Sequence, residues 1–194
     1  MVAAITGGPS GIGVVTVKLL SSLEAKVSIG GVSQASVDAA KAYFEENSNG
    51  SAGAASIFAK AVDIRSRESF DAGITAMVQW GGALDGAVNL AVVVCSVELE
   101  IDLEIDGPKP STGIIKSINL KDMNAPNGSK GGIFNAASIL ILLDIGSDAA
   151  CIATKHGVLA LTRAATRQCI SGGVRVNAIA LGIVESWNRE VVES

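Results

Sequence analysis

Several kinds of residue are scarce in this chain, and each scarcity removes a class of function. Only one of the 194 residues is a histidine, His156. Cys151 lies five positions before it, off its helical face, so no metal site is expected. The three cysteines, Cys95, Cys151 and Cys169, are an odd number with no C-x-x-C pair. Neither a disulfide framework nor a zinc motif follows from them, and a reduced, cytoplasmic setting does. Charged residues make up 18% of the chain, with 15 basic against 19 acidic and a net charge of -4. A pI near 5.0 leaves no basic face for phosphate backbones, which excludes nucleic acid as a partner. Long apolar runs are also missing. Ile139 to Leu143 is cut by Asp144, and Ala87 to Val94 contains Asn89, so no membrane span is expected. No basic stretch precedes the apolar Val2 to Ile5, and no signal peptide is expected.

Hydrophobic residues are abundant at 48%, enough for a sizeable core in one domain over residues 1–194. Strand-like and helix-like segments alternate. Val2 to Ile5 predicts a strand, followed by a helix to about Glu24 with Ile12, Val15, Leu19, Leu20 and Leu23 at helical spacing. Lys26 to Ile29 predicts the second strand, and Ser33 to Glu46 a helix with Ser33 or Ser36 as its cap. Ala55 to Val62 is the third strand, Arg67 to Trp80 a helix, and Leu84 to Val94 a fully apolar fourth strand. Ile133 to Ala136 and Val174 to Ile179 are further strands, with a long helix from about Ala149 to Gln168 between them. This alternation implies an α/β fold: doubly wound, with a mainly parallel, Rossmann-like sheet. Val97 to Asp106 alternates apolar and acidic residues with period two, which by itself predicts an amphipathic strand with a solvated acidic face. Asn124 to Gly132 predicts a loop.

Thr6-Gly7-Gly8-Pro9-Ser10-Gly11-Ile12-Gly13 joins the first strand to the first helix. Glycines there let the backbone turn sharply and approach a pyrophosphate, which the free N–H groups of a helix N-terminus attract. The T-G-x-x-x-G-x-G spacing resembles that of the short-chain dehydrogenase/reductase family, and further matches follow in order. Asp63-Ile64 resembles the pair that contacts adenine. Asn89-Leu90-Ala91-Val92 resembles the N-N-A-G motif, with Asn119, Ser138 and Lys155 resembling the catalytic asparagine, serine and lysine. Arg175 to Gly182 resembles R-V-N-x-I-x-P-G, and Ile183 and Ser186 match positions that hold the nicotinamide carboxamide. The resemblance implies NAD or NADP at Gly7, Gly11, Ile12, Gly13, Asp63, Ile64, Asn89, Ala91, Lys155, Ile183 and Ser186. It also implies a catalytic set of Asn119, Ser138, Cys151 and Lys155, a small-molecule alcohol or ketone as substrate, and a homo-oligomer, commonly a homodimer.

The departures are specific. Cys151 stands thirteen positions after Ser138 and four before Lys155, where the family has tyrosine. A thiol is more acidic than a phenol, about 8.5 against about 10, and a neighbouring lysine lowers it further. Its sulfur reaches roughly 4 Å less far from the backbone than a tyrosine oxygen. The one tyrosine, Tyr43, falls on the helix after the second strand, at the adenosine end of the resembled fold. Gly31 stands where NAD-preferring members carry an acid, Val92 replaces a glycine, and Asn119 is only nineteen positions from Ser138. From the resemblance, the family's usual C-terminal substrate-binding segment is expected to be lacking after Ser186. Three functions stay open: an NAD(P)-dependent oxidoreductase, a non-redox isomerase, cyclase or lyase in the same pocket, and a binding protein without turnover.

Overall fold

The computed structural model describes residues 1–47, 56–91, 131–143 and 149–184. Asn119, Ser186, Val92, Cys95, the Val97 to Asp106 alternation and almost all of the Asn124 to Gly132 stretch lie outside these residues. The elements run β1 (Val2–Thr6), α1 (Gly11–Ser22), β2 (Lys26–Gly31), α2 (Gln34–Glu46), β3 (Ile57–Ala61) and α3 (Arg67–Gly81). They continue with β4 (Gly86–Asn89), β5 (Gly132–Ser138), a 3-10 turn (Ile139–Ile141), α4 (Ala149–Cys169) and β6 (Arg175–Leu181). The six strands form one sheet in the order β3-β2-β1-β4-β5-β6. Every pairing is parallel, with Ile5 opposite Ile29, Val88 opposite Phe134 and Ser138 opposite Leu181. The chain reverses direction across the sheet between β1 and β4. Ligands in open α/β sheets bind at such a reversal, outside the carboxyl ends of the strands.

Alternation along each strand sends successive side chains to opposite faces. On one face Ile5, Val27 and Ile29 meet Val17 of α1 and Ala40 and Phe44 of α2. On the other, Ala87, Ile133 and Val176 meet Phe70 and Met77 of α3 and Ala165 of α4. This is why the strands are apolar without a clean polar period. Met77 and Leu84 are fully buried, and truncating either to alanine should cost about 2–5 kcal/mol.

Helix ends follow local chemistry. Ser33 and Ser66 cap α2 and α3, accepting from the amides of Ser36 and Ser69. α3 stops at Gly82, which adopts a left-handed φ of +83°. The fourth strand is shorter than its apolar run predicts. It begins at Gly86 because Asp85 turns its carboxylate onto the Val2 amide at 2.7 Å. It ends at Asn89, where the Leu90 amide makes the last ladder bond to the Thr6 carbonyl and the Ala91 amide goes to the Thr6 hydroxyl instead. β5 is longer than predicted, since pairing of Ala137 and Ser138 with Ala180 and Leu181 extends it. No helix among the described residues is long and apolar enough to cross a membrane.

Candidate active site and nucleotide cleft

At the reversal point the glycine turn leaves β1 and opens α1. Gly7 and Gly11 have φ of +73° and +49°, a region unfavourable to side chains. A Cβ on Gly7 would lie 2.9 Å from the Ala91 nitrogen, and one on Gly13 would collide with the Gly7 carbonyl oxygen. The turn is therefore closed against both the end of β4 and the start of its own helix. The Gly7 amide donates to the Gly30 carbonyl at 2.9 Å, which fixes the turn to β2. Ser10 occupies the N-cap of α1, yet its side chain makes no capping bond, and no acid lies in the first turn. The first N–H groups of a helix have no partner within it. At α1, unlike α2 and α3, no serine side chain competes for them. Backbone shape and dipole together suit an anion beside Gly11, Ile12 and Gly13.

At the β2–β3 side, Gly31 is packed rather than open. A Cβ there would approach the Pro9 ring to 2.8 Å and a Val37 methyl to 3.1 Å. Asp63 follows β3. Arg65 binds its carboxylate in fork geometry, Nε to Oδ1 at 2.9 Å and Nη2 to Oδ2 at 2.8 Å. These bonds hold the Asp63 carboxyl down at about 2. Ile64 is partly buried and packs against the core under α3. Asn89 is buried and donates from Nδ2 to Asn135 Oδ1 at 2.7 Å.

The carboxyl ends of β5 and β6 form the other half of the cleft. Ser138 is the last residue of β5, and its hydroxyl accepts from the Leu140 amide at 3.3 Å, shaping the turn that packs on α4. Cys151 and Lys155 are one helical turn apart on α4, both partly buried. The Lys155 ammonium donates to the Ala136 carbonyl at 3.2 Å, two residues before Ser138. Burial pushes the Lys155 pKa down, and the charge of Cys151 partly opposes this. Ile183 follows β6 and is fully exposed. Cys169, at the far end of α4, is a buried free thiol whose pKa burial raises. Tyr43 packs edge-on to Phe44 in the α1–α2 layer, across the sheet from the helix of Cys151. Among the described residues no group of three potential metal ligands is present.

Four participants escape a sequence reading. Pro9 meets Gly31 only after the turn has folded back on β2. Arg65 stands two residues from Asp63, and that D-x-R spacing is a usable signal. Asn135 interrupts an apolar strand, which marks it as polar and buried, but nothing local names Thr162 as its partner.

The model for the short chain dehydrogenase family matches residues 1–193. The Short-chain dehydrogenase/reductase ABA4 of Pyricularia oryzae is 35% identical over 191 residues, covering 94% of this chain and 68% of that protein. The crystal structure of levodione reductase superposes with a TM-score of 0.80 at 29% identity, covering 96% of this chain and 73% of that one. The actinorhodin polyketide ketoreductase, solved with NADPH, gives 0.77 at 26% identity, covering 95% and 71%.

Proposed function

The chain belongs to the short-chain dehydrogenase family, and from that premise we propose an NAD(P)-dependent oxidoreductase of a small-molecule alcohol or ketone whose redox rate Cys151 limits. One observation carries the dinucleotide reading. Gly7, Gly8 and Gly13 have no room for a side chain at the point where the uncapped start of α1 meets the end of β4. Asp63 and the Ile64 backbone lie at the adenosine side, with Asn89, Ala91 and Lys155 toward the reacting side. Asn119 and Ser186 complete the proposed set, and both are outside the described residues. Bound nicotinamide would supply the hydride chemistry. Ser138 would orient the substrate oxygen through its hydroxyl, and Lys155 would hold positive charge beside it. Cys151 would exchange the proton through one water, because its sulfur stops roughly 4 Å short of a tyrosine oxygen.

Titration with NADH and NADPH tests this reading. Saturable binding of either supports it, and binding of neither removes it. A second reading rests on Cys151 itself. Without a tyrosine at that position, the same pocket would serve a non-redox isomerase, cyclase or lyase, or a binding protein without turnover. Nucleotide binding with no oxidation or reduction across a panel of alcohols and ketones would favour it.

The proposal extends to a cytoplasmic homodimer or larger assembly. Val15, Leu19 and Leu23 form an exposed apolar stripe on α1, and Phe134 and Ile179 are exposed on β5 and β6. Surfaces of this kind recruit partners. Light scattering at micromolar concentration is expected to give at least twice the chain mass, and a monodisperse monomer would refute the assembly.

A further inference from the structure

Four polar residues are buried among the described residues, and three of them form one hydrogen-bonded chain: Asn89 at 8% exposure, Asn135 at 4% and Thr162 at 5%. Asn89 at the end of β4 donates from Nδ2 to Asn135 Oδ1 at 2.7 Å. Asn135 on β5 donates from Nδ2 to the Thr162 hydroxyl at 3.0 Å. Thr162 on α4 passes its own hydroxyl proton back to the Val158 carbonyl at 2.7 Å. Each amide and hydroxyl group in the line has a partner, so the buried polarity is satisfied from β4 to α4.

The two ends of this line lie at the two halves of the cleft. Asn89 is two residues before Ala91, whose nitrogen a Gly7 side chain would strike. Thr162 shares a helix face with Val158 and Lys155, at spacings of four and then three residues. Lys155 itself reaches the Ala136 carbonyl, on the residue next to Asn135. Apolar packing would also bury α4 against β5, but it is non-directional and tolerates sliding. Hydrogen bonds of 2.7–3.0 Å have narrow angular limits.

We propose that Asn135 and Thr162 are positioning residues that, through Asn89, hold the Lys155 helix at a fixed depth and axial position against the strand end that closes on the glycine turn. The proposal deepens the functional reading above and rests on it for the role of Lys155. The geometric part, that the line sets how far Lys155 is withdrawn from solvent, is measurable without nucleotide.

The test is trace acylation of the intact protein by acetic anhydride, with Lys155 labelling measured by mass spectrometry relative to exposed Lys26. Thr162→Val keeps the shape and removes the hydroxyl. It is expected to raise the Lys155 to Lys26 ratio about fivefold, the factor that loss of one buried hydrogen bond represents. Thr162→Ser keeps the hydroxyl and should return the ratio to the wild-type value. Thr166→Val is the control, since the one Thr166 hydroxyl proton lies between the Thr162 carbonyl at 2.8 Å and the Val176 carbonyl at 2.9 Å, and neither bond involves the side chains of Asn89, Asn135 and Thr162. It should lower the melting temperature and leave the ratio alone. An unchanged ratio in folded Thr162→Val, or an equal rise in Thr166→Val, overturns the proposal. Should Thr162→Val not fold, Thr162→Ala removes the same hydroxyl and is judged by the same ratio. A final arm adds saturating NADPH, which should protect Lys155 in the wild type and less in Thr162→Val. If neither NADPH nor NADH binds the wild type, the functional reading falls, while the nucleotide-free ratios still decide the positioning role.

Discussion

The Pro9 ring lies against Gly31, so close that a Cβ on Gly31 would sit 2.8 Å from Pro9 Cγ. The contact joins the glycine turn to the end of β2, where, on the proposed reading, an acid would have to stand to bind the ribose hydroxyls of NAD. Gly31→Asp should therefore not increase NADH affinity by itself. Overpacking against Pro9 and Val37 should cost about 1–3 kcal/mol, read as a lower melting temperature. Combining it with Pro9→Ala should recover stability and raise NADH affinity relative to NADPH in paired titrations. A stable Gly31→Asp protein with tighter NADH binding would show that the ring yields without cost.

Gly13 and Gly157 are both helical glycines and should respond oppositely to alanine. A Cβ on Gly13 meets the backbone of Gly7 and Gly8, the Gly7 oxygen first, and neither is the free end of a flexible side chain. Gly13→Ala should lose about 3 kcal/mol, at the upper end of overpacking costs, together with nucleotide binding. Gly157 on α4 has nothing within 4 Å of its Cβ position. Gly157→Ala should gain up to about 1 kcal/mol from helix propensity with binding unchanged. Chemical denaturation and a nucleotide titration read both variants.

The fold was largely legible because its signals are local. Serine caps, a 3.6-residue apolar period and short apolar runs place every described strand and helix to within a few residues of the structure. Where bounds differ, a contact distant in sequence decides them. Asp85 is drawn to the Val2 amide and delays β4, while β6 lengthens β5 by pairing with Ala137 and Ser138. The glycine turn was legible for the same local reason, since its spacing and its place between strand and helix suffice. Pro9 on Gly31 and Asn135 on Thr162 were not legible. Each depends on how two elements lie across one another, and no period or cap encodes that. Asn119 and Ser186, expected from the resemblance, lie outside the described residues, so their placement rests on that resemblance alone.

Asp63 should titrate unusually low for an exposed carboxylate. Its bonds from the Arg65 side chain and backbone bring its pKa from the ordinary 3.8 to about 2. Because the folded value is the lower one, the pair stabilises the fold above pH 3.8, and that contribution is lost as pH falls through about 2. Carbon-13 NMR of the Asp63 carboxyl should find the low midpoint in the wild type and a higher one in Arg65→Ala, still below 3.8 because the amide of residue 65 continues to donate to Oδ1. An ordinary wild-type midpoint would mean that the fork does not persist in solution. Arg65→Ala also frees Oδ2 while the amide of residue 65 keeps its bond to Oδ1, so any nucleotide contact through Oδ2 should strengthen rather than weaken.

Cys151→Tyr should decide whether one atom position limits the chemistry. Lys155 is already one turn away on α4 and anchored to the Ala136 carbonyl, so a phenol at position 151 would meet a placed ammonium. Ser138 ends the neighbouring strand with its turn packed on the same helix. What a thiol at this position lacks relative to a phenol is reach. Direct proton transfer typically contributes about 10²–10⁴-fold, so the turnover gain on ketones should approach but not exceed that range. The gain should appear in kcat, with the Kd for nucleotide little changed, because the substitution adds a group used in the transition state. The variant must first be shown to be folded and to bind NADH or NADPH as the wild type does. With that established, an unchanged kcat would place the limit elsewhere in the pocket and favour the non-redox reading of this site.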